Sequence, residues 1–179
     1  MRRALAALAL PLLLSACGGA PRVEGQDGPG PAFALEQTFE GRGTGKGVFR
    51  NTLTGSTRPF TVVFNGRRTT QGLDLAEDIA YADGEKERHV WRFRRVGPGR
   101  YEGRRDDVAG VATGVESGNT LRLSYDVTLK TGGSTAQLHF EDTLVRRGPG
   151  VVENKARVSK LGLPIGTVDI AIRMDGRRR

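Results

Sequence analysis

From Leu121 to Lys130 every second residue is apolar: Leu121, Leu123, Tyr125, Val127 and Leu129 alternate with Arg122, Ser124, Asp126, Thr128 and Lys130. Successive side chains of an extended chain project to opposite faces, so a period of two builds a strand with one dry and one wet side. Phe60, Val62 and Phe64 repeat the pattern, as do Val168, Ile170 and Ile172. Turn-forming groups separate such stretches: Asn65-Gly66, Asp83-Gly84, Gly97-Pro98-Gly99, Ser117-Gly118-Asn119, Gly132-Gly133 and Gly148-Pro149-Gly150. Strands are predicted near 33–39, 47–53, 58–65, 70–82, 86–96, 99–107, 110–117, 119–130, 134–147, 151–160 and 165–173. No segment sustains a helical period.

Many consecutive strands joined by short turns predict an all-β fold, an antiparallel meander forming a lipocalin-like β-barrel or a strongly bent sheet. A membrane-spanning barrel does not fit. Its outer face would be apolar and girdled by aromatics, whereas the wet faces here carry full charges and the chain has seven Phe, three Tyr and one Trp.

The N-terminus carries a separate message. Arg2 and Arg3 precede an apolar run from Ala4 to Leu14, followed by Ser15-Ala16-Cys17. The run is too short to cross a bilayer and reads as a secretory signal over residues 1–16. Leu14-Ser15-Ala16-Cys17 resembles the lipobox of bacterial lipoproteins, which implies cleavage before Cys17, the only cysteine, and acylation of that residue. Acyl chains would then hold the protein on a membrane. Gly18 follows where an aspartate would imply retention at the inner membrane, so the resemblance implies the periplasmic face of the outer membrane. From Gly18 to Pro31 the chain is rich in Gly, Pro and small polar residues, and 17–31 reads as the acylated cysteine with a flexible tether. The barrel domain is expected over 32–174, with a basic tail at 175–179.

The formal net charge of +8 becomes +6 when Arg2 and Arg3 leave with the signal. Export and the even spread of the basic residues argue against a nucleic-acid partner. The doublets Arg67-Arg68, Arg94-Arg95, Arg104-Arg105 and Arg146-Arg147 fall near strand ends and read as solvated loop charge, with attraction to anionic head groups as the functional alternative. Gly41-Arg42-Gly43-Thr44-Gly45-Lys46-Gly47 invites a phosphate-loop reading, but Gly47 stands where Ser or Thr should follow the lysine, and no helix follows. His89 and His139 lack ligand spacing, so no metal is expected; nothing specifies a Ser/His/Asp triad or a cofactor.

Polar residues on apolar faces are the informative exceptions. Glu77 shares its face with Leu73, Leu75, Ile79 and Tyr81; Asp142 shares its own with Leu138, Phe140 and Leu144. Asn154 and Lys160 flank Ala156 and Val158, His89 has the parity of Trp91 and Phe93, and Asp107 that of Tyr101 unless a bulge reverses it. An ionised group facing a dry interior costs several kcal/mol unless paired. Three readings stay open, of which the first two are an ion pair at one barrel end, Lys160 with Glu77 or Asp142, and a polar patch in an apolar cup that orients a ligand. Catalysis by an interior carboxylate is the third.

Leu75-Ala76-Glu77-Asp78-Ile79-Ala80-Tyr81, with Asp83-Gly84-Glu85 and Val90-Trp91, resembles a segment of the bacterial lipoprotein family known as domain of unknown function 3833. So do Tyr101-Glu102-Gly103 with Asp106-Asp107-Val108, Gly118-Asn119, Phe140-Glu141-Asp142, and Asn154-Lys155-Ala156 with Lys160-Leu161-Gly162. The likeness spans roughly 35–173. It departs where the family has Asp-Trp-Met-Tyr after the phenylalanine, since Glu141-Asp142-Thr143-Leu144-Val145 stands here. The resemblance implies location and fold and brings no activity. The expectation is a lipid-anchored envelope protein whose barrel binds an apolar or amphiphilic small molecule. Glu77, Asp107, Asp142, Asn154 and Lys160 would be interior polar contacts and Tyr81 and Trp91 the walls. An envelope interaction or structural lipoprotein without ligand is the alternative.

Overall fold

A computed structural model describes residues 21–131 and 134–175. Cys17, the signal at 1–16 and all but Asp175 of the basic tail lie outside the described residues. Those described form a short helix, α1 (Leu35–Thr38), and ten strands: β1 (Gly41–Asn51), β2 (Thr57–Arg68), β3 (Gly72–Tyr81), β4 (Lys86–Gly97), β5 (Arg100–Arg104), β6 (Ala112–Ser117), β7 (Thr120–Thr131), β8 (Ser134–Gly148), β9 (Val151–Lys160) and β10 (Leu163–Met174). Each strand pairs antiparallel with its sequence neighbours, and β1 pairs with β10, which closes the barrel. The fold is a closed, all-β, lipocalin-like meander.

The period of two sets its inside and outside. Leu121, Leu123 and Val127 are buried with Phe64, Leu75, Trp91, Phe93 and Tyr101 in one core. Outside, opposite charges face each other across the ladder: Arg67 with Asp74, Asp78 with Arg88, Arg94 with Glu102. Exposed pairs of this kind add little stability each; they fit the register and keep the outer face hydrophilic.

Three segments depart from the sequence reading. The strand expected at 33–39 is instead a single helical turn with flanking extended chain. Phe33, Leu35 and Phe39 are buried there, and α1 contacts β2 and β3. Closure of β1 on β10 leaves no free ladder edge, so an apolar segment upstream can bury itself only by plugging a barrel end.

β1 begins at Gly41, six residues earlier than expected. Gly43 and Gly45 point inward and are buried while Arg42, Thr44 and Lys46 are exposed. A Cβ at Gly45 would lie 2.8 Å from Val62 and 3.1 Å from the Phe64 ring; at Gly47 it would overlap the Phe60 ring. The glycines admit neighbouring rings, and with no side chain they hide the period of two.

Residues 21–31, expected as free tether, lie against the barrel. Val23 is buried, the Asn119 amide donates to the Gly25 carbonyl at 2.9 Å, and Arg122 donates to Asp27 at 2.6 Å. These contacts sit at the plugged end, beside the β6–β7 turn, and a small-residue composition without apolar period gave no sign of them.

Glu36 ties the plug to the wall. It accepts hydrogen bonds from Arg95 and, at 3.3 Å, from the Tyr101 hydroxyl. Burial alone would push its carboxyl up, but Arg95 and Tyr101 outweigh burial and hold it below the usual value. The folded state therefore binds fewer protons than the unfolded chain just below the ordinary carboxylate range. The stabilisation is complete above the unfolded pKa and is lost as pH falls through the folded one. Glu36→Gln should lower the urea midpoint at pH 7, and the gap from the parent should close as pH is taken down toward 3.

Candidate functional site

The barrel encloses a cavity of about 1020 Å³. Leu35 and Phe39 floor it from the plugged end; Val62, Phe64, Leu75, Leu123, Leu144 and Ile172 are among its apolar walls. The opposite end carries the β1–β2, β3–β4 and β9–β10 turns, with Asp106, Asp107 and Val108 of the β5–β6 connection lining the cavity on that side. Leu53, Leu161 and Leu163 stand exposed on that rim. Leu161 opens a left-handed turn with φ 51°, next to Gly162 at φ 79°, a conformation that a branched side chain adopts reluctantly.

Polar side chains line the cavity in two groups, an inner one around Asp142 and Glu77 and another nearer the mouth around Tyr81. Asp142 on β8 is 4% exposed and Asn154 on β9 is 8% exposed. The Asn154 Nδ2 donates to Asp142 Oδ1 at 2.8 Å; Asp142 Oδ2 and Asn154 Oδ1 are buried without a well-aligned hydrogen bond, and the Tyr125 hydroxyl lies close to the Asp142 carboxyl. Glu77 sits directly opposite Phe64 and His89 in the ladder. Tyr81 lines the wall nearer the mouth; its hydroxyl donates to Glu87 at 3.1 Å, and the Arg58 guanidinium lies 3.6 Å over its ring. Trp91 stacks on Phe93 at 5.2 Å and meets Tyr125 edge-on at 5.0 Å.

The interior cation is Arg105, and it is not solvated loop charge. β5 ends at Arg104, so Arg105 and Asp107 belong to the following turn, yet both line the cavity. The Arg105 side chain is 11% exposed. Its Nε donates to Asp107 Oδ1 at 2.6 Å and its Nη2 to Asp107 Oδ2 at 2.9 Å. Its Nη1 lies 3.8 Å from Glu77 Oε2, and its plane lies 4.6 Å from the Trp91 centroid. The signal for it was available: Tyr101 and Gly103 are buried, and two more residues along the same parity reach Arg105.

Lys160 does not belong to this group. Parity with Val158 would turn it inward, but Lys160 is the last residue of β9, where the Leu161-Gly162 turn carries it past the rim into solvent. It neither lines the cavity nor pairs with Glu77 or Asp142. A single solvated strand end overrides alternation, because an ammonium at a rim reaches water at almost no cost.

Burial raises the Glu77 carboxyl above its ordinary value, with Arg105 and His89 pulling the other way. Burial likewise raises Asp142, opposed by Asn154, Tyr125 and Arg105. Tyr125 is driven well up by burial and then by the facing Asp142. His89 approaches Glu87 at 3.1 Å and Asp107 at 3.9 Å.

A Ser-His-Asp sequence of contacts does occur, on the outer face of β7 and β8. His139 Nδ1 is 2.9 Å from Asp126 and His139 Nε2 is 3.5 Å from Ser124 Oγ. Ser124 stands mid-strand, paired on both sides with Thr113 and Glu141. Its neighbouring amides serve the ladder and form no oxyanion hole, so these residues lack the equipment for acyl transfer. No group of three or more metal-ligating side chains occurs among the described residues.

The family described as "Protein of unknown function (DUF3833)" matches residues 11–174. The chain belongs to the DUF3833 family. Among solved structures, the S-type phycobiliprotein lyase CPES from Guillardia theta is similar, with a TM-score of 0.60 at 10% identity over 88% of this chain and 100% of the lyase. At that identity the likeness is one of fold. No curated protein matches the chain. Within this DUF3833 barrel, Glu77, Asp107, Asp142 and Asn154 converge on the cavity and Lys160 does not.

Proposed function

We propose that this DUF3833 protein is an envelope lipoprotein, held by acyl chains on Cys17 at the periplasmic face of the outer membrane, whose barrel binds an apolar or amphiphilic small molecule. The observation that carries the reading is the cavity: about 1020 Å³ walled by aliphatic and aromatic side chains, with an inner group of polar side chains around Asp142 and Glu77. That is the anatomy of small-molecule sites. Each methylene buried there contributes about 0.8 kcal/mol, so an alkyl chain of a dozen carbons supplies a useful affinity after the costs of association. The shared fold of a phycobiliprotein lyase supports the barrel as a scaffold for such work. A barrel with a filled core and a purely structural role fits the cavity less well.

Native mass spectrometry of protein purified from cells should show a co-purifying adduct of lipid size that is lost on solvent extraction. Titration with dodecanol should change the fluorescence of Trp91, the only tryptophan and a cavity wall. No adduct and no response would sink the ligand reading. Independently, Cys17→Ala should abolish fatty-acid labelling and release the protein from the membrane fraction; retention of both would refute the anchor.

A further inference from the structure

We infer that the inner polar group of the cavity selects an amphiphile with a positively charged, donor-rich head, a primary ammonium on an alkyl chain, over one with a carboxylate or phosphate head. This rests on the interior binding just proposed and names the class of ligand.

The first observation is the sense of the unmet hydrogen bonds. Two buried acceptors that make no well-aligned hydrogen bond line the cavity, Asp142 Oδ2 and Asn154 Oδ1, with the Tyr125 hydroxyl as the one other donor close to Asp142. The amide orientation of Asn154 is set by its neighbour, because Nδ2 already donates to Asp142 Oδ1. Reversing it would face oxygen to oxygen. A buried acceptor left unmet costs about 1–3 kcal/mol, more when charged, so the site gains most from a guest that brings donors. An alkylammonium brings three and accepts none.

The second observation is that both guanidiniums lining the cavity are already engaged, Arg58 near the mouth with Asp83 and Glu85 and Arg105 deeper in. Arg105 spends Nε and Nη2 on Asp107, keeps Nη1 toward Glu77 and lays its face on Trp91. The two-point contact, in which Arg–carboxylate bonds are strongest, is taken by Asp107, and an anionic head reaching the remaining Nη1 edge would meet the Glu77 carboxylate 3.8 Å from it.

The third is the balance of charge. The carboxyls of Glu77 and Asp107 lie against Arg105 and that of Asp142 feels its charge, while His89 stands between Glu87 and Asp107. A further anion adds to this excess in a medium of low polarity, and a cation reduces it.

The test uses the purified protein carrying Cys17→Ala, titrated with dodecylammonium, dodecanol and dodecanoate below their micellar concentrations, with Trp91 fluorescence as readout. Dodecylammonium should bind at least tenfold more tightly than dodecanol, and dodecanoate most weakly. The protein's formal net charge of +8 works in the opposite sense, so adventitious surface attraction would favour dodecanoate. Asp142→Asn, close in shape and without the charge, should erase the ammonium preference while leaving dodecanol affinity within about twofold. Glu77→Gln should weaken the preference and serves as the second variant should Asp142→Asn fold poorly. Equal or tighter binding of dodecanoate, or a preference unchanged in both variants, overturns the inference while leaving interior binding intact. Silence from all three amphiphiles, dodecanol included, removes the binding reading itself and this inference with it.

Discussion

Arg105→Met should lower the unfolding free energy by about 3–5 kcal/mol, the loss typical when one partner of a buried charge cluster is deleted. Methionine keeps an apolar stem of similar length over Trp91, so packing changes little and the missing charge dominates. Asp107 would lose both hydrogen bonds of its two-point contact, and Glu77 the nearest cation, 3.8 Å away. Both carboxyls would then stay in the interior uncompensated or take up protons. Urea unfolding followed by Trp91 fluorescence measures the effect. Adding Asp107→Asn and Glu77→Gln to Arg105→Met should recover most of the loss, because the neutral amides no longer need a counter-charge. The loss should also be smaller at pH 4 than at pH 8. The carboxyl of Glu77 is already raised by burial, and acid restores the proton that the missing guanidinium made necessary. A loss below about 1 kcal/mol at pH 8 would mean that Arg105 is not what holds these carboxyls, against the range expected for such clusters.

The second large effect is at the plug. Gly66 on β2 has the Phe39 carbonyl oxygen where a Cβ would stand, with the carbonyl carbon 2.8 Å from that point. Backbone meets backbone, so no side-chain rotation can relieve the overlap. Either β2 leaves its register with β1 and β3, or the segment carrying Phe39 lifts from the floor. Gly66→Ala should therefore lower stability by about 3 kcal/mol, the upper end of what overpacking costs. It should also speed hydrogen exchange of the amides from Phe33 to Phe39 more than those of the strands. Gly148→Ala is the control: nothing lies within 4 Å of the point where its new methyl would stand, and its effect should stay within about 0.5 kcal/mol. Equal effects at the two glycines would show that the plug does not press on β2.

How far the site could be read in advance depended on depth along each strand. Glu77, Asp142 and Asn154 were legible because each has apolar neighbours of the same parity on both sides, which pins it to the inner face. Lys160 has such neighbours on one side only, and the turn beyond it decided its fate. Arg105 was missed because a basic doublet at a strand end resembles loop charge, although Tyr101 and Gly103 pointed to it. The Gly41–Gly47 stretch and α1 were unreadable for opposite reasons. The glycines carry no side chain to display a period. Phe33, Leu35 and Phe39 display one whose energetic demand, burial, is met equally well by a strand or by a plug.

Residue order alone settled that this DUF3833 chain forms antiparallel strands and which side chains of a mid-strand stretch share a face, since both follow from the local alternation of Cβ directions. Only the folded barrel decided that β1 meets β10, that an upstream turn seals one end, and that the inner polar group borders an open cavity instead of packed side chains. Those outcomes depend on what lies across the barrel, tens of residues away, and the free energy of hiding one face from water is nearly indifferent to what it is hidden against.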